Sequence, residues 1–219
     1  EFRRVLFRSD GRLYKANDMV KADCGGCNGC SRCCHGMGNS IILDPYDVYR
    51  MTTGMGKSMQ ELLAASVELN VVDGVILPNL KMQGAEEACA YLDGEGRCSI
   101  HPYRPGICRL FPLGRYYENG GFSYFLQTGE CAKENRSKIK VSKWIDTPDL
   151  TRNQQFTLQW HDLLHAMEER LTGEDEGKQR EENLLLLRLF YLLPYEGTID
   201  FYTQFTERME HWNGQNGQI

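Results

Sequence analysis

Nine cysteines stand in the 219-residue chain, all of them between Cys24 and Cys131, and their spacing is what first suggests chemistry. Five fall in DCGGCNGCSRCCHGMG, residues 23–38, in the pattern C-x2-C-x2-C-x2-C-C: Cys24, Cys27, Cys30, Cys33 and Cys34. The remaining four are Cys89, Cys98, Cys108 and Cys131. Two residues between thiols let thiolates converge on one centre, and glycines permit tight turns that aim backbone N–H groups at sulfur. A structural cysteine acts as a small hydrophobe inside an apolar run, a description that suits Cys24 alone. Disulfide frameworks belong to short secreted chains with an even count, whereas this count is odd and the length is ample for a core. Soft-metal ligation is therefore the chemistry indicated.

Which metal is left open by spacing. Four thiolates suit tetrahedral zinc and an iron-sulfur cluster equally. Cys24, Cys27, Cys30 and Cys34 reproduce the C-x2-C-x2-C-x3-C of bacterial ferredoxins, but His35 stands where proline follows there, and no second copy exists. A zinc ribbon wants two C-x2-C pairs, whereas the later cysteines here are single and far apart. Neighbouring Cys33 and Cys34, read as extended chain, point to opposite faces and so to two centres. With Cys24 set aside, eight cysteines remain for two four-thiolate sites, or for one cluster and a structural zinc. Either group with four thiolates carries a net charge of −2, which Arg32, Arg97, Arg104, Arg109 and Arg115 are placed in sequence to offset. His35 and His101, beside cysteines, are expected to hydrogen-bond sulfur.

Other motifs are weaker. His161 and His165 lie one helical turn apart, but Asp162 replaces the glutamate base of a zinc protease, and the pair reads as solvated. No glycine-rich phosphate loop joins a strand to a helix, and the C-x3-C-x2-C of radical S-adenosylmethionine enzymes is absent.

The elements that must position these thiols are short. Ile41 to Leu43 reads as a strand, Asp44-Pro45 as cap and first turn of a helix to about Thr52, and Lys57 to Leu69 as a second helix with a core-facing stripe. Val71 to Met82 reads as extended chain around Gly74 and Pro78. Residues 89–100 suggest a hairpin carrying Cys89 and Cys98 at its ends, and Asn119-Gly120 joins a clearer one, Leu110–Glu118 with Gly121–Thr128. After about Lys140 the composition turns helical: Thr151–Leu171, Lys178–Leu193 and Ile199 to about Trp212. The fold class expected is α+β, a small irregular metal-stapled domain of hairpins and helices over residues 10–140 with a helical C-terminal extension over 141–219. Residues 1–9, EFRRVLFRS, lack periodicity, match a translated sequencing adapter and are set aside as a non-native scar.

Composition bounds the rest. Twenty-five basic and 30 acidic residues give a net charge of −5, or 22 against 29, −7, without residues 1–9, and so no electrostatic case for nucleic acid. The longest apolar stretch, Leu184–Leu193, contains Arg188 and falls short of the roughly 20 residues that span a bilayer, which excludes a membrane span. No apolar leader precedes Cys24, and a cytoplasmic location is expected.

Together the cysteines resemble a family: the zinc- or iron-chelating CxxCxxCC proteins of YkgJ type, often labelled iron-sulfur oxidoreductases. Its signature falls on Cys27, Cys30, Cys33 and Cys34; CAYLDGEGRCSIHPYRPGICRLFP resembles its second block with Cys89, Cys98 and Cys108, and Cys131 matches its later cysteine. The resemblance covers about Ala22 to Ala132, leaving Cys24 and the later helices outside. It implies metal chelation by these eight cysteines in bacterial cytoplasm. The expected cofactor is an iron-sulfur cluster, 4Fe-4S by preference, with a redox role and a protein redox partner. The alternatives are Zn(II) in a structural or protein-interaction module, and a part of a protein-modifying enzyme related to flagellin lysine methylases.

Overall fold

Helix α1 (Pro45–Met55) starts where Asp44 and Pro45 predict it. In the computed structural model, which describes residues 8–25, 30–133 and 135–216, Asp44 accepts the Asp47 N–H at 2.8 Å and Asp47 accepts the Asp44 N–H at 3.2 Å. This reciprocal cap satisfies donors that the first turn would otherwise orphan. A second capping box, Ser58 with Glu61, opens helix α2 (Met59–Ala65). That helix stops at Ala65 rather than running to Leu69. Strand β2 (Val67–Val72) takes over and pairs antiparallel with β3 (Val75–Leu80) through Asp73 and Gly74, both with positive φ. The β-branched Val67, Val71 and Val72 gain a full ladder in this hairpin, which outweighs the helical period. Leu69, expected in the core, is 44% exposed.

Beyond it, β4 (Met82–Gln83) pairs with β5 (Ala88–Cys89), so Cys89 lies opposite Met82 and not Cys98. Cys98 bridges Leu92 instead, across a turn in which Asp93 accepts the N–H groups of Glu95 and Arg97 at 3.0 and 2.8 Å. The side-chain turn at Asp93 tightens the loop and shortens the predicted hairpin. A short helix α3 (Gly106–Leu110) leads to β6 (Leu113–Glu118) and β7 (Gly121–Leu126). They are joined as expected by Asn119 and Gly120 at φ 50° and 69°. Strand β1 (Met19–Asp23) pairs with β8 (Ser137–Lys140), and helices α4 (Val141–Ile145), α5 (Leu150–Leu171), α6 (Glu176–Leu187) and α7 (Phe201–Asn216) complete the chain. A π-helical turn, Arg188–Leu192, follows α6 before Pro194. The class is α+β, as expected.

Two hydrophobic cores organise these pieces. The expected strand at Ile41–Leu43 is reduced to one bridge, Ile42 to Asn79; in the larger core Leu43 from this segment, Met51 of α1, Leu62 of α2 and Leu80 of β3 meet Phe156, Phe190, Phe201 and Phe205 from the C-terminal part. In the smaller, Val20, Ala22, Leu113, Tyr124, Val141 and Ile145 join β1, β6, β7 and α4. Cys89, Cys98 and Cys108 pack against the larger core and Cys24 against the smaller. The thiols thus occupy the seam between them. Among the described residues no helix is long and apolar enough to cross a membrane.

Candidate metal centre

Three α1 residues set the geometry of the segment that carries His101, Arg104 and Cys108. Asp47 accepts the Gly106 N–H at 2.6 Å, Arg50 donates to the Pro102 carbonyl, and Gly54 lies where a Cβ would collide with the Tyr103 ring. Spaced i, i+3 and i+7, they form one stripe of the helix. Asp47 is only 2% exposed, and burial lifts its carboxyl to about 6 against the opposing pull of the Gly106 and Asp44 N–H groups and of Arg115 and Arg50. The sequence predicts α1 as a capped helix but does not predict this grip. Its only sequence trace was the acid at the third helical position, which also completes the cap.

Above that loop, Cys30, Cys33, Cys34, Cys89, Cys98 and Cys108 line one cavity of about 450 Å³. Cys33 and Cys34 enter it from a 3-10 turn over Arg32–Cys34, held by Cys34 N–H to Ser31 O at 2.8 Å. This corrects the expectation that the two thiols face opposite ways. In a 3-10 turn successive side chains are about 120° apart, not 180° as in a strand, so both reach the same side. The strand bearing Cys89 is tied to this turn by the His35–Ala88 bridge and by Gly36 N–H to Glu87 O at 3.0 Å.

Five of these thiols sense one another. Cys34 donates an S–H hydrogen bond to Cys33, and this, helped by a backbone N–H and by Arg104, holds Cys33 down to about 7 against burial. The same bond, together with burial and the charges of Cys33, Cys89 and Cys108, pushes Cys34 up. Burial raises Cys89 and Cys98, with Arg104 opposing at Cys98, and raises Cys108 with Asp47 adding to it. Burial and the neighbouring thiols thus favour the protonated forms of Cys34, Cys89, Cys98 and Cys108.

A second, much smaller cleft of about 20 Å³ adjoins the first and is lined by Cys24, Cys30, Cys33 and Cys131. Cys27 lies outside the described residues, so its expected ligand role is carried by sequence alone. Cys30, Cys33, Cys34, Cys89, Cys98, Cys108 and Cys131 form no disulfide. Among the described residues, no three His, Cys, Asp or Glu side chains are gathered tightly enough to grip one ion. The thiols surround space; they do not converge on a point.

The surrounding charges are only partly those expected. Arg97 and Arg104 line the larger cavity and Arg32 the smaller cleft. Arg109 does not: it is 4% exposed and lies over the Tyr46 ring. Arg115 lies over Phe122 and acts on Asp44 and Asp47. Sequence neighbourhood misleads for these two, because α3 turns Arg109 onto the Tyr46 ring and β6 turns Arg115 toward Phe122 and the buried carboxylates. His101 lines the larger cavity and contacts Arg104. His35, next to Cys34, keeps a buried Nε2 without a hydrogen-bond partner. His161 stacks on Tyr117 at 3.8 Å between ring centroids, and with His165 lines neither thiol cavity.

The CxxCxxCC family model, described as a putative zinc- or iron-chelating domain, matches residues 26–132. The cysteine-bearing part of the chain is similar to that family. No curated protein and no solved structure matches the chain. The match spans Cys27, Cys30, Cys33, Cys34, Cys89, Cys98, Cys108 and Cys131, and leaves Cys24 and the helices from α4 onward outside it. Metal binding is the family's described property, and the donor set fits it: soft thiols with cationic Arg104 and Arg97 on the same cavity wall.

Proposed function

We propose that the cysteine-bearing domain carries an iron-sulfur cluster of 4Fe-4S type in the larger cavity and serves in electron transfer. The thiolates that would hold it come from Cys33, Cys34, Cys89, Cys98 and Cys108. The observation that carries the reading is the spread of these thiols around about 450 Å³ of space. A tetrahedral zinc with Zn–S near 2.3 Å draws its sulfurs to about 3.8 Å from one another. Donors distributed around a cavity, no three of them gripping a point, suit a multi-atom inorganic core better. When bound, such a cluster supplies a one-electron redox couple.

The chain's own residues then have separable tasks. Asp47 and Arg50 fix the loop that delivers Cys108 and His101. Arg104, which favours the ionised forms of Cys33 and Cys98, offsets the negative charge of the thiolates. Met37, Ile41, Leu80 and Met82 wall the cavity with apolar surface, and Ile107, 40% exposed, stands at its edge with Arg97. That apolar and cationic edge suits contact with an acidic protein redox partner.

Anaerobic purification followed by visible spectroscopy and assay of iron, zinc and acid-labile sulfide tests the proposal. A brown protein with iron and sulfide in near-equal amounts is expected. A colourless protein holding only zinc would replace it with the zinc-stapled module, and attention would move to the helices.

A further inference from the structure

We infer that the mouth of the larger cavity and the adjoining cleft form one cationic docking face, and that the partner it takes is an acidic electron-transfer protein. The redox character of that partner rests on the preceding reading; the charge and exposure of the face do not.

The two openings run into one another, since Cys30, Cys33, Phe111 and Glu130 line both. Arg97 and Arg104 border the cavity and Arg32 and Lys133 the cleft, four cations against one carboxylate, Glu130, among the described lining residues. The chain as a whole carries 30 acidic residues to 25 basic. The face is thus opposite in sign to the molecule around it, and a field of this kind steers an acidic partner to one place. The four cations also divide by depth. Arg104 is half-buried and favours the ionised forms of Cys33 and Cys98, whereas Arg32, Arg97 and Lys133 are exposed. The inner cation serves the thiols, and the outer three face solvent.

Arg97 pairs with Glu95 at 3.4 Å, but their side chains are 68% and 74% exposed. So open a pair is weak and exchanges readily for a partner's carboxylate. Ile107, exposed at the cavity edge, adds apolar contact to the charged rim, the combination found in protein interfaces. As the covalent neighbour of Cys108, it brings a docked partner within one residue of a thiol. Its segment is fixed: the Phe111 N–H donates to the Ile107 carbonyl at 3.0 Å, and Trp144 donates to the Leu110 and Phe111 carbonyls at 3.3 and 3.2 Å. A face held this firmly loses little freedom on docking.

The test titrates the full chain, purified anaerobically with the metal it holds, with an acidic flavodoxin. Calorimetry reads the affinity at low and high salt, and hydrogen exchange reads the footprint. Two acidic proteins without a complementary patch bind better as salt rises; a cationic face predicts the reverse. Binding at low salt that is lost at high salt is expected, with protection concentrated in residues 30–36, 96–107 and 130–133. Arg32→Glu combined with Lys133→Glu should abolish binding while metal content stays at the parent level, because neither side chain lines the larger cavity. Arg97→Gln should weaken it. No binding at low salt, binding that tightens with salt, a footprint on the C-terminal helices, or full affinity in the double variant overturns the face. If the double variant is insoluble, Arg97→Gln and the footprint decide. A colourless zinc protein that binds flavodoxin in this way keeps the docking face and loses the electron-transfer role, so metal assay of the same sample tells the two failures apart.

Discussion

Asp47 does more than cap a helix. Its carboxyl is buried, bonded to the Gly106 N–H, and raised to about 6, so the sign of its pH effect follows directly. The folded chain holds this proton more tightly than the unfolded one. Its contribution to stability is full below the ordinary aspartate range and is lost as pH rises through about 6, a swing of roughly 2–3 kcal/mol. Asp47→Asn keeps an oxygen for Gly106 and removes the proton. Thermal melts from pH 4 to 7 at matched metal content should therefore be flatter for the variant than for the parent. Asp47→Ala leaves the Gly106 N–H unpaired and should cost about 1–3 kcal/mol, read by denaturant midpoint. Among the thiols, Cys34→Ser and Cys108→Ser should each cut metal content of the larger cavity sharply, whereas Arg104→Gln should leave the ligands in place and weaken retention most at low salt, where its charge is least screened. Metal analysis before and after dialysis against chelator separates the two behaviours.

Helix α1 acts as a rail on which the ligand loop is mounted, through Asp47, Arg50 and Gly54. Gly54 is required by approach and not by backbone freedom: a methyl there would enter the Tyr103 ring. Gly54→Ala should push the segment at residues 101–103 away and lower metal occupancy together with stability, although alanine is the better helix former by about 1 kcal/mol. A gain in melting temperature with full metal content would refute the rail. Prediction from sequence succeeded at this scale wherever local chemistry decided: Asn119-Gly120 for one turn, Asp44-Pro45 for one helix start. It failed at Ala65, where a strand partner outbid the helical period, and at Cys89, whose partner Met82 is set by how the 84–87 turn folds back. It failed again at the Cys33-Cys34 pair, because nothing local distinguishes an extended segment from a 3-10 turn.

At the scale of the molecule, two cores flank a seam of thiols, and each core is held by side chains that do not need metal. Phe156 meets Tyr46, Phe201 and Phe205 inside the larger core, and Phe156→Ala should cost about 3–5 kcal/mol. Metal removal should act differently. Helical circular dichroism should persist, while hydrogen exchange rises in residues 30–36, 86–108 and 128–133, the segments that reach the thiols. Uniform loss of protection across α5–α7 would show instead that metal holds the whole chain. Composition and spacing alone pointed to an α+β fold and to a cysteine-rich domain of zinc- or iron-chelating type, since thiol count, glycine company and turn signals are local properties. How the cysteines divide between two spaces, which arginines face them and which helix carries the loop were decided only when the chain packed, because a site's shape depends on distances between segments that sequence separation does not encode.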